Sequence, residues 1–319
     1  MRTAFTDLVG CRVPIQQAGM GGTATVELAA AVADAGALGM VGMPMAGPGA
    51  VVAALERLSR QTSGAFGVNF LMPFLDRESV AAAASRARVV EFFYGDPDPS
   101  LVALAHDGGA LASWQVGSVD EAQAARDAGC DFLVVQGVEA GGHVRGRSGL
   151  LALLDQVLGA VGGPVLAAGG IGTPRGVAAV LAAGAAGARV GTRFVAADEA
   201  DSHPDYVDAL VAAGPGDTVV TTVFSLQWPE APHRVLRSCV DAASNLDAEV
   251  AADAELADGT RRPMPKFAPV SPSRRMTGHV EAMAQYAGES VGAVTRRQPA
   301  GTIVQELADG AEALLARWH

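Results

Sequence analysis

Lysine is almost missing from this chain. Of its 319 residues, 23 are basic, and Lys266 is the single lysine. No lysine closes an apolar run, which excludes a strand-end Schiff base for a pyridoxal cofactor. Cysteine is scarce as well. Cys11, Cys130 and Cys239 are too few and too scattered for a disulfide framework or a zinc site. They are expected to be reduced thiols of a cytoplasmic protein. His, Asp and Glu show no metal-ligand spacing, so no metal is expected. Excess positive charge is absent too. The net charge is −11 and the pI about 5.0, with no basic stripe, so nucleic acid is a poor partner and the acidity serves solubility. No uninterrupted apolar run approaches membrane-spanning length, and the N-terminal "MRTAFTDLVGCRVPIQQAG" lacks the long apolar core of a signal peptide. Neither a membrane span nor a secretion signal is therefore expected.

What the chain has is a large supply of small apolar residues. It is 50% hydrophobic but only 5% aromatic and 18% charged, with 39 glycines. Such a composition excludes disorder and allows a large core in one large or two small domains. Eight apolar runs read as strands: "PIQQAG", "LGMVGM", "FGVNFLM", "VVEFFYG", "LASWQVG", "FLVVQG", "PVLAAGG" and "ARVGTRFV". Amphipathic helical patterns lie between them, among them "VDEAQAARDAG" and "TPRGVAAVLAAG", several ending at glycine. Three segments repeat an "AG" turn followed by a strand: "ADAGALGMVG", "RDAGCDFLVVQG" and "LAAGAAGARVGTRF". Strands hydrophobic on both faces, alternating with helices, imply a parallel sheet. The α/β fold expected is a (β/α)8 TIM barrel; an open doubly wound sheet is the competitor. The rhythm stops near Ala197. Residues 198–277 are richer in Pro, Asp and Arg and read as an inserted, mostly helical subdomain. The barrel then comprises residues 1–197 and 278–319, closed by the final helix "TIVQELADGAEALLARWH".

Barrel active sites sit at the C-terminal ends of the strands. Met20, Asn69, Gln115 and Gln136 fall there, as do Gly169, Gly170, Gly191 and Thr192. The loops after strands seven and eight, "AAGGIGTPRG" and "RVGTRF", are glycine-rich where such barrels hold phosphate on backbone amides. The plain alternative is that these glycines are packing turns. Asn69, Gln115 and Gln136 are neutral donors and acceptors that suit the heteroatom edge of a flavin, although each could be an ordinary buried amide. FMN is thus the cofactor the residues favour. The stretch "VVQGVEAGGHVRG" (134–146) places His143 in a glycine-rich turn past strand six, making it the candidate catalytic residue. A surface-turn histidine is its bland counterpart. Glu139 reads as a loop-ordering carboxylate. His106, His203, His233, His279 and His319 have no companion motif and are expected at the surface or in the insert. In "WPEAPHRVLRS", Arg234 or Arg237 is expected to form ion pairs.

At this point "PIQQAGMGG", "GVNF", "VVQGVEAGGH", "PVLAAGGI", "GTRF" and the late "YAGESVGAV" resemble the nitronate monooxygenases, formerly called 2-nitropropane dioxygenases. The matches run over nearly the whole chain, and "QG-x-EAGGH" is the most specific. The resemblance implies a TIM barrel with one FMN and a second, largely helical domain. Asn69, Gln136, Gly141, Gly170 and the turn of Val190, Gly191 and Thr192 would touch FMN, and Met20 would lie beside its ring. His143 would be the active-site histidine. Tyr286, read from the residue alone, either lines the substrate side or is an ordinary packed tyrosine. The implied reaction takes a small-molecule alkyl nitronate and O2 to a carbonyl compound and nitrite. His143 would act either as a neutral base on carbon or as an imidazolium holding the nitro group. Enoyl-acyl-carrier-protein reductases share the "EAGGH" loop but usually carry glutamate where this chain has Gln136. NADH:quinone reductases on the same scaffold, and a non-catalytic flavin or phosphometabolite binder, are further alternatives. A single chain and an oligomer are both compatible with the sequence.

Overall fold

The computed structural model describes residues 1–43, 45–255 and 259–318. Eight parallel strands build the barrel: β1 Ile15–Gln17, β2 Gly39–Gly42, β3 Phe66–Leu71, β4 Val89–Phe93, β5 Leu111–Val116, β6 Phe132–Gln136, β7 Val165–Ala168 and β8 Gly187–Val190. From β2 to β8 each pairs with the next, and β8 pairs with β1. The remaining seam between β1 and β2 is bridged at Gln16 and Leu38. The Leu38 N–H donates to the Ile15 carbonyl at 2.9 Å and the Gln17 N–H to the Leu38 carbonyl at 3.0 Å. All eight expected strands are present. The eighth is shorter than "ARVGTRFV": its ladder with β7 ends at Arg189 and that with β1 at Val190, and Thr192–Val195 turns into a short helix.

The barrel helices are α1 Val26–Asp34, α2 Pro48–Gln61, α3 Arg77–Ala84, α4 Pro99–Asp107, α5 Val119–Asp127, α6 Leu150–Ala160, α7 Pro174–Ala182 and α8 Ala300–Leu315. Thr25, Asp76, Asp98, Ser118 and Thr173 cap N-termini with side-chain oxygens, satisfying amides that lack intrahelical acceptors. The three "AG" turns exit their helices at Gly36, Gly129 and Gly184, with φ of 95°, 96° and 102°. Only glycine enters that region without strain, which is why the motif repeats. Alternation divides the strand side chains. One set packs against the helices; the other, including Met40, Val134 and Leu166, fills the barrel interior. The short helix Ala4–Val9 inserts Phe5 edge-on against Phe132 at 5.3 Å, placing an apolar plug in that interior.

The inserted segment departs from expectation. Residues 198–277 carry two α-helices, Pro204–Ala212 and Arg237–Asn245, but also Thr218–Thr221, His233–Leu236, Val250–Glu255, Arg261–Pro265 and most of Met276–Gly278 as strands. It is a mixed segment, not a mostly helical one. Its strands are short and owe their stability to pairing with other segments, from the adjacent hairpin arm to the barrel loop at Gly142–His143, which local propensity does not show. His233–Leu236 pairs antiparallel with Thr218–Thr221 on one side and with Gly142–His143 of the barrel on the other. Val250–Glu255 pairs with Arg261–Pro265 and Met276–Gly278. The insert is therefore tied by backbone hydrogen bonds to the loop after β6. Among the described residues no helix is long and apolar enough to cross a membrane.

Candidate functional site

At the C-terminal mouth of the barrel lies a cavity of about 650 Å³. Met20, Asn69, Gln115 and Gln136 reach it from strand ends. Gly141 and His143 reach it from the loop after β6. Gly169 and Gly170 follow β7; Gly191 and Thr192 follow β8. Tyr286 comes from the returning chain. One expected residue is not among them. Val190 is wholly buried among shell residues, since its position in the strand alternation points it toward the helices, and its carbonyl accepts from the Ala18 N–H at 2.8 Å.

The three amides differ in what they have left to offer. Gln115 is nearly buried, and among the described residues its amide bonds nothing. Asn69 spends its Nδ2 on Glu91 at 2.9 Å, leaving Oδ1. Gln136 braces the next loop: its Nε2 donates to the His143 carbonyl at 2.9 Å, and its Oε1 accepts from the Arg145 N–H. The glycine turns leave their backbone bare. Gly169 and Gly170 have φ of 113° and 67°, and a Cβ on Gly141 would stand 2.5 Å from the Gly288 nitrogen. Thr192 Oγ1 accepts from the Gly288 N–H at 3.0 Å, which fastens the 286–290 loop across the β8 turn. Glu139 orders its loop as expected, accepting the Leu150 N–H at the start of α6.

His143 stands in an aromatic nest. Trp228 stacks on its ring at 3.9 Å and 26°, while His233, Tyr94 and Tyr286 lie 5.3 to 5.6 Å away. Its Nε2 and the Tyr286 hydroxyl are buried without hydrogen-bond partners among the described residues. Burial, and secondly the neighbouring His233, push the His143 pKa down to about 3. Its imidazole is therefore neutral at physiological pH in this structure. Tyr286 is held protonated by burial.

His233 is not a surface residue. It is wholly buried, its Nε2 accepts the Phe224 N–H at 3.3 Å and its Nδ1 faces the Ala231 carbonyl at 2.9 Å. Both contacts anchor the loop that carries Trp228. His106, His203 and His279 do lie outside the site, against Asp131, Asp205 and Glu281; His319 lies outside the described residues. Of the two candidate arginines, Arg234 forms the ion pair, with Glu289 at 3.2 Å, and also clasps the Val138 carbonyl. Among the described residues Arg237 forms none.

Sequence reasoning passed over Trp228, Tyr94, Arg189 and Glu91. Nothing local marks Trp228 or Tyr94. Glu91 and Arg189 did carry a signal: a charge inside a strand that is apolar on both faces must find a partner.

A family model described as nitronate monooxygenase matches residues 2–84 and 74–310. The chain belongs to that family. Members of this family are oxidoreductases. The chain is 37% identical over 243 residues to the (3aS,4S,5R,7aS)-5-hydroxy-7a-methyl-1-oxo-octahydro-1H-indene-4-carboxyl-CoA dehydrogenase of Mycobacterium tuberculosis, covering 75% of this chain and 67% of that relative. It is 29% identical over 271 residues to a probable nitronate monooxygenase of Staphylococcus aureus, covering 70% and 76% respectively. Among solved structures, FabK from Thermotoga maritima superposes with a TM-score of 0.81 at 28% identity, over 100% of this chain and 98% of that one. The nitroalkane oxidase of Streptomyces ansochromogenes gives 0.79 at 29% identity, over 99% and 100%.

Proposed function

We propose that this protein binds FMN in the barrel-mouth cavity and oxidises alkyl nitronates with O2. Two nitronates and one O2 would give two carbonyl compounds and two nitrites. The observation that carries the reading is the chemistry of the lining. Among its described residues there is no Asp, Glu, Lys or Cys, and its one histidine is held neutral. A substrate that still had to lose a carbon-bound proton would find no carboxylate base and an imidazole made weakly basic by burial. A nitronate arrives already deprotonated and needs neither.

The residues present fit FMN. Bare glycine backbone after β7 and β8 can approach a phosphate, and Gln115 has an unspent amide. Bound there, FMN supplies one-electron transfer to and from the substrate and oxygen. The chain's own residues position and exclude. Met20 and Ile171 give apolar contact, Trp228, Phe74 and Tyr286 wall off water, and neutral His143 offers a ring N–H to a nitro oxygen. The protein is expected to be yellow and to release FMN, not FAD, on denaturation. Oxygen uptake is expected with nitronates and no NADH. Rapid reduction by NADH with no nitronate-driven uptake would defeat this reading in favour of a reductase.

A second reading, oxidation of a carboxyl-CoA thioester, is favoured by the 37% identity to such a dehydrogenase. Anaerobic bleaching of the flavin by an acyl-CoA, absent with nitronates, would select it.

A further inference from the structure

We propose that Arg189, held from within the barrel by Glu91, is the electrostatic positioning residue that stabilises negative charge on the cofactor ring. The proposal rests on the FMN reading above and concerns a pair of residues that the nitronate chemistry does not itself require.

The placement follows from strand alternation. On β8, Ala188 and Val190 pack in the helical shell, so Arg189 between them points inward. There it meets Glu91 of β4, Nη1 to Oε1 at 2.6 Å. Glu91 is 0% exposed and also accepts Asn69 Nδ2 at 2.9 Å and Gln16 Nε2 at 2.8 Å. Side chains from β1, β3 and β8 therefore converge on the one carboxylate of β4. A buried ion pair of this kind is weak evidence for stability, because desolvation offsets most of its attraction. Its geometry instead aims something at the cavity. Arg189 is 7% exposed, lines the cavity, and its other N–H groups bond nothing among the described residues. Glu91 is not part of the cavity lining. The pair is neutral overall, but its positive end faces the site and its negative end faces the barrel interior.

Only one other described cation lines the cavity, Arg262, which belongs to the exposed strand Arg261–Pro265. The glycine turns that suit phosphate begin at Gly169 after β7 and at Gly191 after β8, past the ends of the strands, whereas Arg189 lies within β8. Arg189 is thus the cation offered to the ring portion of a flavin. Uptake of two electrons and one proton at N5 leaves a negative charge across N1 and the C2 carbonyl. Sulfite produces the same charge without a reductant: its sulfur lone pair forms a bond to N5, and the displaced pair settles at N1 and C2=O. A guanidinium with free N–H donors favours both products.

The test uses the FMN-loaded protein, its flavin midpoint potential and its sulfite dissociation constant. Arg189→Met is expected to lower the potential and to weaken sulfite binding about ten- to a hundredfold, the value of a hydrogen bond to a charged group. Arg189→Lys is expected to restore most of both. Glu91→Gln leaves the guanidinium uncompensated and is expected to shift both quantities the opposite way, which separates charge from simple misfolding. An unchanged potential and sulfite affinity in flavin-loaded Arg189→Met overturns the proposal. So does a loss of FMN affinity alone, which would make Arg189 a phosphate ligand, or a change confined to the nitronate KM, which would make it a substrate contact. A wild-type protein that takes up no FMN overturns this inference together with the cofactor reading, and its colourless spectrum tells that failure apart.

Discussion

His143 is the residue on which the proposed chemistry turns. Its ring is braced by Trp228, while its backbone carbonyl is held by Gln136. His143→Asn should therefore leave FMN bound, measured by the flavin released on denaturation. Nitronate kcat/KM should fall about ten- to a hundredfold, the value of one hydrogen bond to a charged group. Oxygen uptake at fixed flavin content reads this directly, and an undiminished rate would return His143 to a structural role. Because its pKa lies at about 3, wild-type nitronate turnover should show no inflection near the ordinary histidine value of about 6.5. An inflection there that vanishes in His143→Asn would mean that the ring titrates normally during turnover. Neutral nitroalkanes should be poor substrates throughout, since the cavity has no stronger base among its described residues.

At the scale of elements, the loop after β6 is a hub. It lends Gly142–His143 to the insert's sheet, receives Arg234 on its Val138 carbonyl, and caps α6 through Glu139. Glu139→Ala removes the acceptor for the Leu150 N–H and should destabilise the protein by about 1 kcal/mol in urea unfolding, the usual cost of losing a helix cap. The turn after β7 tests a different property. Gly170 has a φ of 67°, and a Cβ there would stand 3.3 Å from the Glu139 side chain. Gly170→Asp should abolish flavin retention on gel filtration, because it adds strain and a carboxylate beside bare amides suited to phosphate. Retention at the wild-type level would show that the anion is held elsewhere.

Over the whole molecule, two buried histidines link folding to pH. Burial lowers the pKa of both His143 and His233 in the native state, while in the unfolded chain each lies near 6.5. Between the native and unfolded values the unfolded chain binds more protons. Stability must then rise with pH through that window and fall as pH drops below about 6.5. Thermal melts of the apoprotein should show Tm decreasing on acidification from pH 7 toward pH 4, less steeply in His143→Asn. Equal slopes would mean that His143 is solvated in the folded protein. Saturating FMN should raise Tm by mass action, by about 2.7 kcal/mol of stability at a hundredfold excess over Kd.

The sequence alone was enough for the barrel, because its information is local and repeated. Apolar runs of strand length, capped helices and three "AG" turns recur along the chain, and each acts within one βα unit. Most candidate residues were legible for the same reason: a residue at a strand's C-terminal end faces the mouth of any such barrel, so Asn69, Gln115 and Gln136 could be placed by position. Val190 could not, since one step in the alternation separates cavity from shell. The insert resisted because its strands take partners from outside themselves, as His233 does from His143. Only the tertiary structure could bring Trp228 onto His143, bury His233, or join Glu91 to Arg189 across 98 residues of chain. Those contacts are made between elements, and no periodicity within an element encodes them. The neutrality of His143 has the same origin, because it is set by how completely other parts of the fold exclude water from its ring.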